Sequence, residues 1–518
     1  MTYSLSAESA AAFRALLGSR CIDEPERLER FETLERGPRG STGLALLPQS
    51  EAEVGQLLAL CNELRTPVII SSGRTGLVEA QRPLGEPVLS LEKLNRPLEF
   101  ELRDGRRYTW ADGVTLPAAG DALRAWWESL GRPDARGARI TVQAGVAVDA
   151  VNDWLRPLGL MFPMEMGSTS SASVGACAAN ASAGSNAVCY GTGAHMTDAA
   201  WGYWGNGEPA GPFAAPAWQL PDPSRFAINS AHIEPSWGLL GSQGAFGLIT
   251  RVTLRTFPIP AQREAALIPV ADMVGSMRVL KAARKRFGEN VEEFEFISAS
   301  AMDLVRHLQG EAFRLPFSQD VESPLFLLLQ VKSADADEDL ASALYEFLAD
   351  DLSLPDELIG YAPLPALKKI RHSITEASNA RMRALGGGRL SFDTTTPLSG
   401  FGEYLDGLRA TLAQRAEGTE LVAFGHAGVG GAHLHVLGTQ AQPIAPRADE
   451  LTQLVIDVTL SHGGSFSAEH GIGSKWADEY LQRTDAAELE LVRALKREHD
   501  PLNILNPRSF GFDRLLAP

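Results

Sequence analysis

Residues 167–193 read GSTSSASVGACAANASAGSNAVCYGTG, and this run constrains the fold more than any other stretch. It is too polar and glycine-rich for a core helix and too alanine-rich for a disordered linker. Small side chains let backbone N–H groups approach a ligand closely, which suits phosphate oxygens better than it suits packing. A long surface loop is the competing reading. Upstream, apolar helical spacing marks residues 6–17 and 51–65, the second behind Pro48 and a Ser50 N-cap. PVIISSGRTGL then reads as a buried strand entering a glycine turn, an order found at nucleotide and flavin sites, although a glycine turn alone is weak evidence. A strand (RITVQAGVAV) and a helix (AVDAVNDWLRPLG) lead into the small-residue run.

At 518 residues the chain exceeds the size at which one core stops growing, so two or more domains are expected. The net charge of −17 makes the average surface repel nucleic acid and anionic lipid. Cys21, Cys61, Cys177 and Cys189 form no CxxC pair, which fits a reduced cytoplasmic protein. The opening MTYSLSAESAAAFRALLGSR lacks a cationic start followed by an apolar run, and no stretch is apolar enough to span a bilayer. Neither a signal peptide nor a membrane span is therefore expected.

Residues 203–235, proline-rich with Trp204 and Trp218, read as an insertion over a scaffold. WGLLGSQGAFGLITRVTLRTF at 237–257 gives another glycine turn and a strand. Beyond PIPAQ, at 258–262, the texture changes to strands (NVEEFEFISAS, PLFLLLQVKS) alternating with amphipathic helices near 334–351, 402–416, 447–461 and 485–499. The expectation is an α+β domain with an antiparallel sheet.

Six of the ten histidines fall after residue 425, three of them in GHAGVGGAHLHV at 425–436. His433 and His435 would share one face of a strand, with His426 upstream beyond a glycine hinge. Neutral imidazoles are common ligands for divalent cations, and Glu469 and His470 in FSAEHGIG add donors. The residues alone leave two readings open, a metal site or hydrogen-bonded histidines in turns.

From LLPQSEAEV at 46 to ILNPRSF at 504, the order and spacing of these segments resemble the FAD-linked oxidases related to vanillyl-alcohol oxidase. Within that group the chain is most similar to the metal-dependent D-2-hydroxy-acid dehydrogenases, of the D-lactate and D-2-hydroxyglutarate type. The resemblance implies a two-subdomain FAD-binding domain followed by a substrate domain with an antiparallel sheet and helices. The expected division is an N-terminal helical segment 1–39, an FAD-binding domain 40–258, a substrate domain 259–480 and a segment 481–518 returning to the flavin.

The same resemblance implies residue roles. Ser72, Gly73, Arg74, Thr75 and Gly76 would wrap the FAD pyrophosphate, with Arg74 replacing the middle of a usual glycine run and either adding a phosphate contact or moving the loop. Gly167, Ser168, Thr169, Ser173, Gly175 and Tyr190 would line the isoalloxazine and phosphates. Gly241, Gly244, Gly247 and Ile249 would lie near the adenine half, and Asn506 would touch the flavin ring. No histidine stands in the first loop for a covalent link, so FAD is expected to be dissociable. His426, His433 and Glu469 match the family's metal ligands, for zinc or manganese, and His470 its general base. In KKIRHSITEA, Arg371 and Thr375 match the substrate-carboxylate site, while Lys368 and Lys369 read as solvated helix cations.

Several residues depart from the family pattern. Val429 and Gly431 replace an aspartate and an asparagine in the histidine motif, His435 replaces an asparagine in the substrate pocket, and Ser391 replaces a lysine, with Arg389 close by in sequence. The implied reaction is oxidation of a D-2-hydroxy acid to the 2-oxo acid by hydride transfer to flavin N5, with electrons passed on to an electron-transfer flavoprotein, a quinone or a cytochrome. A homodimer and a peripheral membrane association are both compatible with this reading. The alternatives are an oxygen-using oxidase and a flavoprotein subunit that has lost its chemistry.

Overall fold

The computed structural model describes residues 3–211, 238–317 and 321–516. Most of the expected insertion at 203–235, including Trp218, lies outside the described residues. Two compact units emerge: residues 1–183, 192–259 and 470–518 form the first, and residues 184–191 and 260–469 the second. The unit change at 259/260 falls at the texture change after PIPAQ. Two segments divide differently from the expected domains. Residues 184–191 group with the second unit, and residues 470–480 with the first.

In the first unit, helix Ala7–Leu17 starts where the Ser6 side chain accepts from the Ser9 N–H. Helix Glu51–Glu63 starts in the same way, with Ser50 accepting from Glu53. Both helices cover a small sheet ordered Cys21–Ile22, Ala45–Leu46, Val88–Ser90, Ile69–Ser71, whose last three strands run parallel. The N-terminal segment thus contributes a strand as well as helices. A six-stranded antiparallel sheet contains Arg139–Gln143, Thr197–Trp204 and Gly247–Arg255. The small-residue run lies between these strands as turns around a short helix, Val174–Ala179, and it extends into Ala187–Tyr190 of the second unit.

The C-terminal segment closes the first unit. Leu505 bridges Val68 in parallel, and Ile504 and Leu505 join the core of Phe13, Leu57, Leu58 and Leu89. Its turn depends on a fully buried pair, Lys496 and Asp500. The Lys496 ammonium donates to Asp500 Oδ2 at 2.6 Å, to the Ala245 carbonyl at 2.7 Å and to the Leu505 carbonyl at 3.1 Å. Asp500 in turn accepts from the Ile504 and Leu505 N–H groups. One ion pair therefore ties the GSQGAFG loop to ILNP.

The second unit is a seven-stranded antiparallel sheet ordered Gly360–Tyr361, Gln262–Val270, Leu325–Ser333, Val291–Ser298, Glu420–Gly425, Gly431–Thr439, Gly386–Thr395. Helices Ala299–Gln309, Leu364–His372 and Ile374–Leu385 cover one face through Met302, Val305, Leu367, Ile370 and Ile374, which pack with Phe424 of the sheet. The KKIRHSITEA segment is thus two helices broken at Ser373. The strand Val291–Ser298 is buried along its whole length although it carries Glu292, Glu293 and Glu295. The four cysteines are free thiols. Among the described residues no helix is long and apolar enough to cross a membrane.

Lys496→Met leaves a buried carboxylate without its cation, a change that costs about 3–5 kcal/mol in such pairs. Thermal unfolding followed by circular dichroism should show a clear drop in the midpoint of this variant. An unchanged midpoint would remove the pair from its structural role.

Candidate active site

The flavin-type segments of the first unit converge. The Ser72 hydroxyl donates to Ser173 Oγ at 2.7 Å, joining the first glycine loop to the small-residue run. A Cβ on Gly73 would stand 2.1 Å from the Ser171 carbonyl oxygen, so only glycine allows that approach. Arg74 takes a left-handed backbone at φ 60°, and Gln81 holds its carbonyl. The Arg74 guanidinium donates to Glu92 at 3.0 Å and lies over the Phe31 ring. Its charge is therefore balanced within the protein, and the loop offers an anion mainly backbone N–H groups. Among the described residues the N–H groups of Gly73, Arg74, Thr75 and Gly76 donate to no protein acceptor, nor do those of Gly167, Ser168 and Thr169. Such unpaired donors suit the oxygens of a pyrophosphate, so this chain's residues fit the FAD that the resemblance implies.

The third segment and the C-terminal turn meet the same strand. Asn506 Oδ1 accepts from the Ile70 N–H at 2.8 Å, and a Cβ on Gly244 would lie 3.3 Å from Asn506 Nδ2. Gln243 accepts from the Ile472 N–H at 2.7 Å, which ties GSQG to the glycines after His470. Gly175 packs its short helix on Ala144, and Ile249 is buried within its strand. Tyr190 belongs to the second unit. Its hydroxyl donates to Glu292 and accepts from Lys332 at 2.7 Å.

In the second unit, the histidine motif forms a hairpin between strands Glu420–Gly425 and Gly431–Thr439. The turn closes on Gly430, at φ 74°, where a Cβ would lie 2.1 Å from the Thr396 carbonyl oxygen. It brings His426 Nε2 to 3.3 Å from His433 Nε2 and 3.2 Å from Glu469 Oε1. One ligand atom from each of the three residues lies within 4.8 Å of the others. Two nitrogens bound to zinc at about 2.0–2.1 Å with tetrahedral angles stand about 3.3 Å apart, so this spacing suits such a cation.

Behind these donors lie carboxylates the sequence reading did not single out. His426 Nδ1 meets Glu295 Oε1 at 2.5 Å, so a proton on Nδ1 leaves the Nε2 lone pair facing His433 and Glu469. Asp393 pairs across the sheet with His433, with its Oδ1 3.8 Å from His433 Nδ1, and Asp393 Oδ2 accepts from the Glu469 N–H. Val429 is an exposed turn residue.

Burial disfavours charge on His426, yet the carboxylates of Glu295 and Glu469 outweigh it and hold the imidazolium up to about 9. Burial raises Glu469 to about 7 against the pull of His426, with Asp393 and Glu295 adding to the rise. The carboxyl of Glu295 is also desolvated, but His426 and Arg371 hold it below the ordinary range.

Arg371 donates from Nε to Glu295 Oε2 at 2.8 Å and lies over the Phe424 ring. That ring also touches His433 and His435, which share its side of the sheet. His435 is buried and bonded through Nδ1 to Ser378 at 2.8 Å, opposite Ser391 across the sheet. Thr375 lies in the first turn of the helix that carries Ser378. Arg389 donates to Asn379. Lys369 is exposed as expected, but Lys368 is not a solvated cation: it pairs with buried Glu293 at 3.0 Å. Three glutamates in NVEEFEFISAS, a strand otherwise apolar, were the available signal for these buried partners.

Comparison with known proteins bears on the domains and the fold. Residues 259–510 match the C-terminal domain of FAD linked oxidases, and residues 127–200 match an FAD binding domain. A D-2-hydroxyglutarate dehydrogenase of Xanthomonas citri pv. viticola is 27% identical, over 95% of this chain and 94% of its own length. The mitochondrial D-2-hydroxyglutarate dehydrogenase of Bos taurus is 26% identical, over 97% and 83%. A putative D-lactate dehydrogenase of Schizosaccharomyces pombe is 24% identical, over 98% and 90%. Among solved structures, alkyldihydroxyacetonephosphate synthase aligns with a TM-score of 0.67 at 15% identity, covering 98% of this chain and 86% of the other. Substrate-bound p-cresol methylhydroxylase aligns at 0.64 and 16% identity, covering 97% and 96%. At such identities these two likenesses establish the fold, the vanillyl-alcohol oxidase type with its two units. The chain thus carries an FAD binding domain and the C-terminal domain of the FAD linked oxidases.

Proposed function

We propose that this protein oxidises a D-2-hydroxy acid to the 2-oxo acid, using FAD held by the first unit and a divalent cation held by His426, His433 and Glu469. The observation that carries this reading is the convergence of those three ligand atoms, with Glu295 placed behind His426 to fix its tautomer. The names of the relatives, D-2-hydroxyglutarate and D-lactate dehydrogenases, support the substrate class.

When bound, FAD would supply a hydride acceptor and the cation a Lewis acid that lowers the pKa of the substrate hydroxyl. The chain's own residues do the rest. Arg371, its Nε held by Glu295 and its plane by Phe424, presents its remaining N–H groups to the substrate carboxylate. Thr375 supports that carboxylate, and His470, next in the chain after Glu469, takes the hydroxyl proton. Ser72, Gly73, Arg74, Thr75 and Gly76, with Gly167, Ser168 and Thr169, hold the flavin phosphates mainly through backbone N–H groups, and Asn506 meets the ring. His435 and Ser391 shape the far end of the pocket. Electrons then leave to an electron-transfer flavoprotein, a quinone or a cytochrome.

Anaerobic mixing with a D-2-hydroxy acid should bleach the flavin absorbance, and its L enantiomer should not. Equal bleaching rates in chelated and metal-replete samples would take the cation out of the reaction. His470→Ala should keep its FAD while slowing bleaching by about 10²–10⁴-fold, and full speed in that variant would defeat the proton role.

Cation binding needs His426 and Glu469 without their protons, and burial with neighbouring charge raises both above their ordinary values. Affinity should therefore rise, with proton release, as pH climbs through about 7 and then about 9. Calorimetry in buffers of different ionisation heat measures both, and a flat profile would contradict the assignment. Gly73→Ala forces the loop away from Ser171, an overpacking cost of about 1–3 kcal/mol. Flavin per chain, read as visible against ultraviolet absorbance, should fall accordingly.

A further inference from the structure

We infer that Glu295 couples the carboxylate site to the cation site, so that an anion at Arg371 and a cation at His426, His433 and Glu469 strengthen each other's binding. This rests on the proposed function and adds to it a linkage between two ligands. The carboxylate of Glu295 is fully buried and both its oxygens are engaged, Oε1 by His426 Nδ1 at 2.5 Å and Oε2 by Arg371 Nε at 2.8 Å. Each donor competes for the electron density of the same group.

Two physical effects act in the same direction. First, the Arg371 charge lies one carboxylate away from the cation ligands, with only 12% of its side chain exposed, so it opposes a second positive charge there. Glu295, Glu469 and Asp393 are the anions facing this region, and the nearby Lys368 is already paired with Glu293. An incoming carboxylate neutralises Arg371 and removes that opposition. Second, when Arg371 shares its N–H groups with an outside anion, Glu295 is left to accept more strongly from His426 Nδ1. A stronger Nδ1–H bond makes Nε2 a better ligand. By linkage, a bound cation must raise carboxylate affinity by the same factor. Phe424 keeps the arrangement in register, because its ring packs against Arg371, His433 and His435 together.

The test is Mn²⁺ binding to the full chain by calorimetry, with and without propionate, a carboxylate that has no hydroxyl. Arg371→Met should bind Mn²⁺ about fivefold more tightly than wild type, and Arg371→Lys, which keeps the charge, about as tightly as wild type. Glu295→Gln should bind it about 10–100-fold more weakly. Propionate should tighten Mn²⁺ binding in wild type and not in Arg371→Met. An unchanged affinity in Arg371→Met, or a propionate effect that persists in it through direct ligation, overturns the coupling while the cation site stands. Absence of Mn²⁺ binding to wild type overturns the cation reading, and the coupling falls with it. The Arg371 variants carry the test even if Glu295→Gln does not fold.

Discussion

The second unit is organised around one buried carboxylate. Glu295 lies in the middle of a strand that is covered on both faces, where an unpaired charge would cost several kcal/mol, so its partners must be brought to it. They come from two directions: His426 from the hairpin turn beside it in the sheet, and Arg371 from a helix crossing one face. Satisfying Glu295 therefore fixes a tautomer at one candidate ligand and the orientation of the arginine that would meet a carboxylate. The neighbouring Glu293 follows the same rule with Lys368, one helical turn before Arg371.

The first unit meets its constraint by close backbone approach instead. Gly73 under Ser171 and Gly175 on Ala144 each leave less room than a side chain needs, and Gly244 takes a left-handed backbone at φ 71° beside Asn506. Arg74 shows how a non-glycine residue is accommodated in that setting. Its backbone takes the left-handed region, and its side chain is held by Glu92 and Phe31, so the cation stabilises the loop by packing outside it. The Lys496–Asp500 pair holds the GSQGAFG loop and the ILNP turn to each other.

Much of this was legible in the chain. Ser50 marks a helix start where the structure places it, and the helices Phe401–Arg415, Ala448–Ser461 and Ala486–His499 match their apolar spacing within a residue or two. The α+β class and the change of texture near 260 were also readable. Lys368 read as solvated because local sequence carries no sign of the glutamate it meets, 75 positions away.

What the sequence by itself determined is local: the periods of helices and strands, the caps, the glycine turns, and the order of motifs that marks an FAD linked oxidase. It also supplied the candidate donors, since the family resemblance of their glycine-flanked motifs implies His426, His433 and Glu469. The tertiary structure alone decided which groups stand behind those donors. Glu295 reaches His426 across 131 positions, and Asp393 reaches His433 across a sheet pairing that no spacing rule foretells. The reason is that protonation and ligand geometry depend on through-space fields over a few ångströms, and strand pairing sets those distances without regard to separation along the chain.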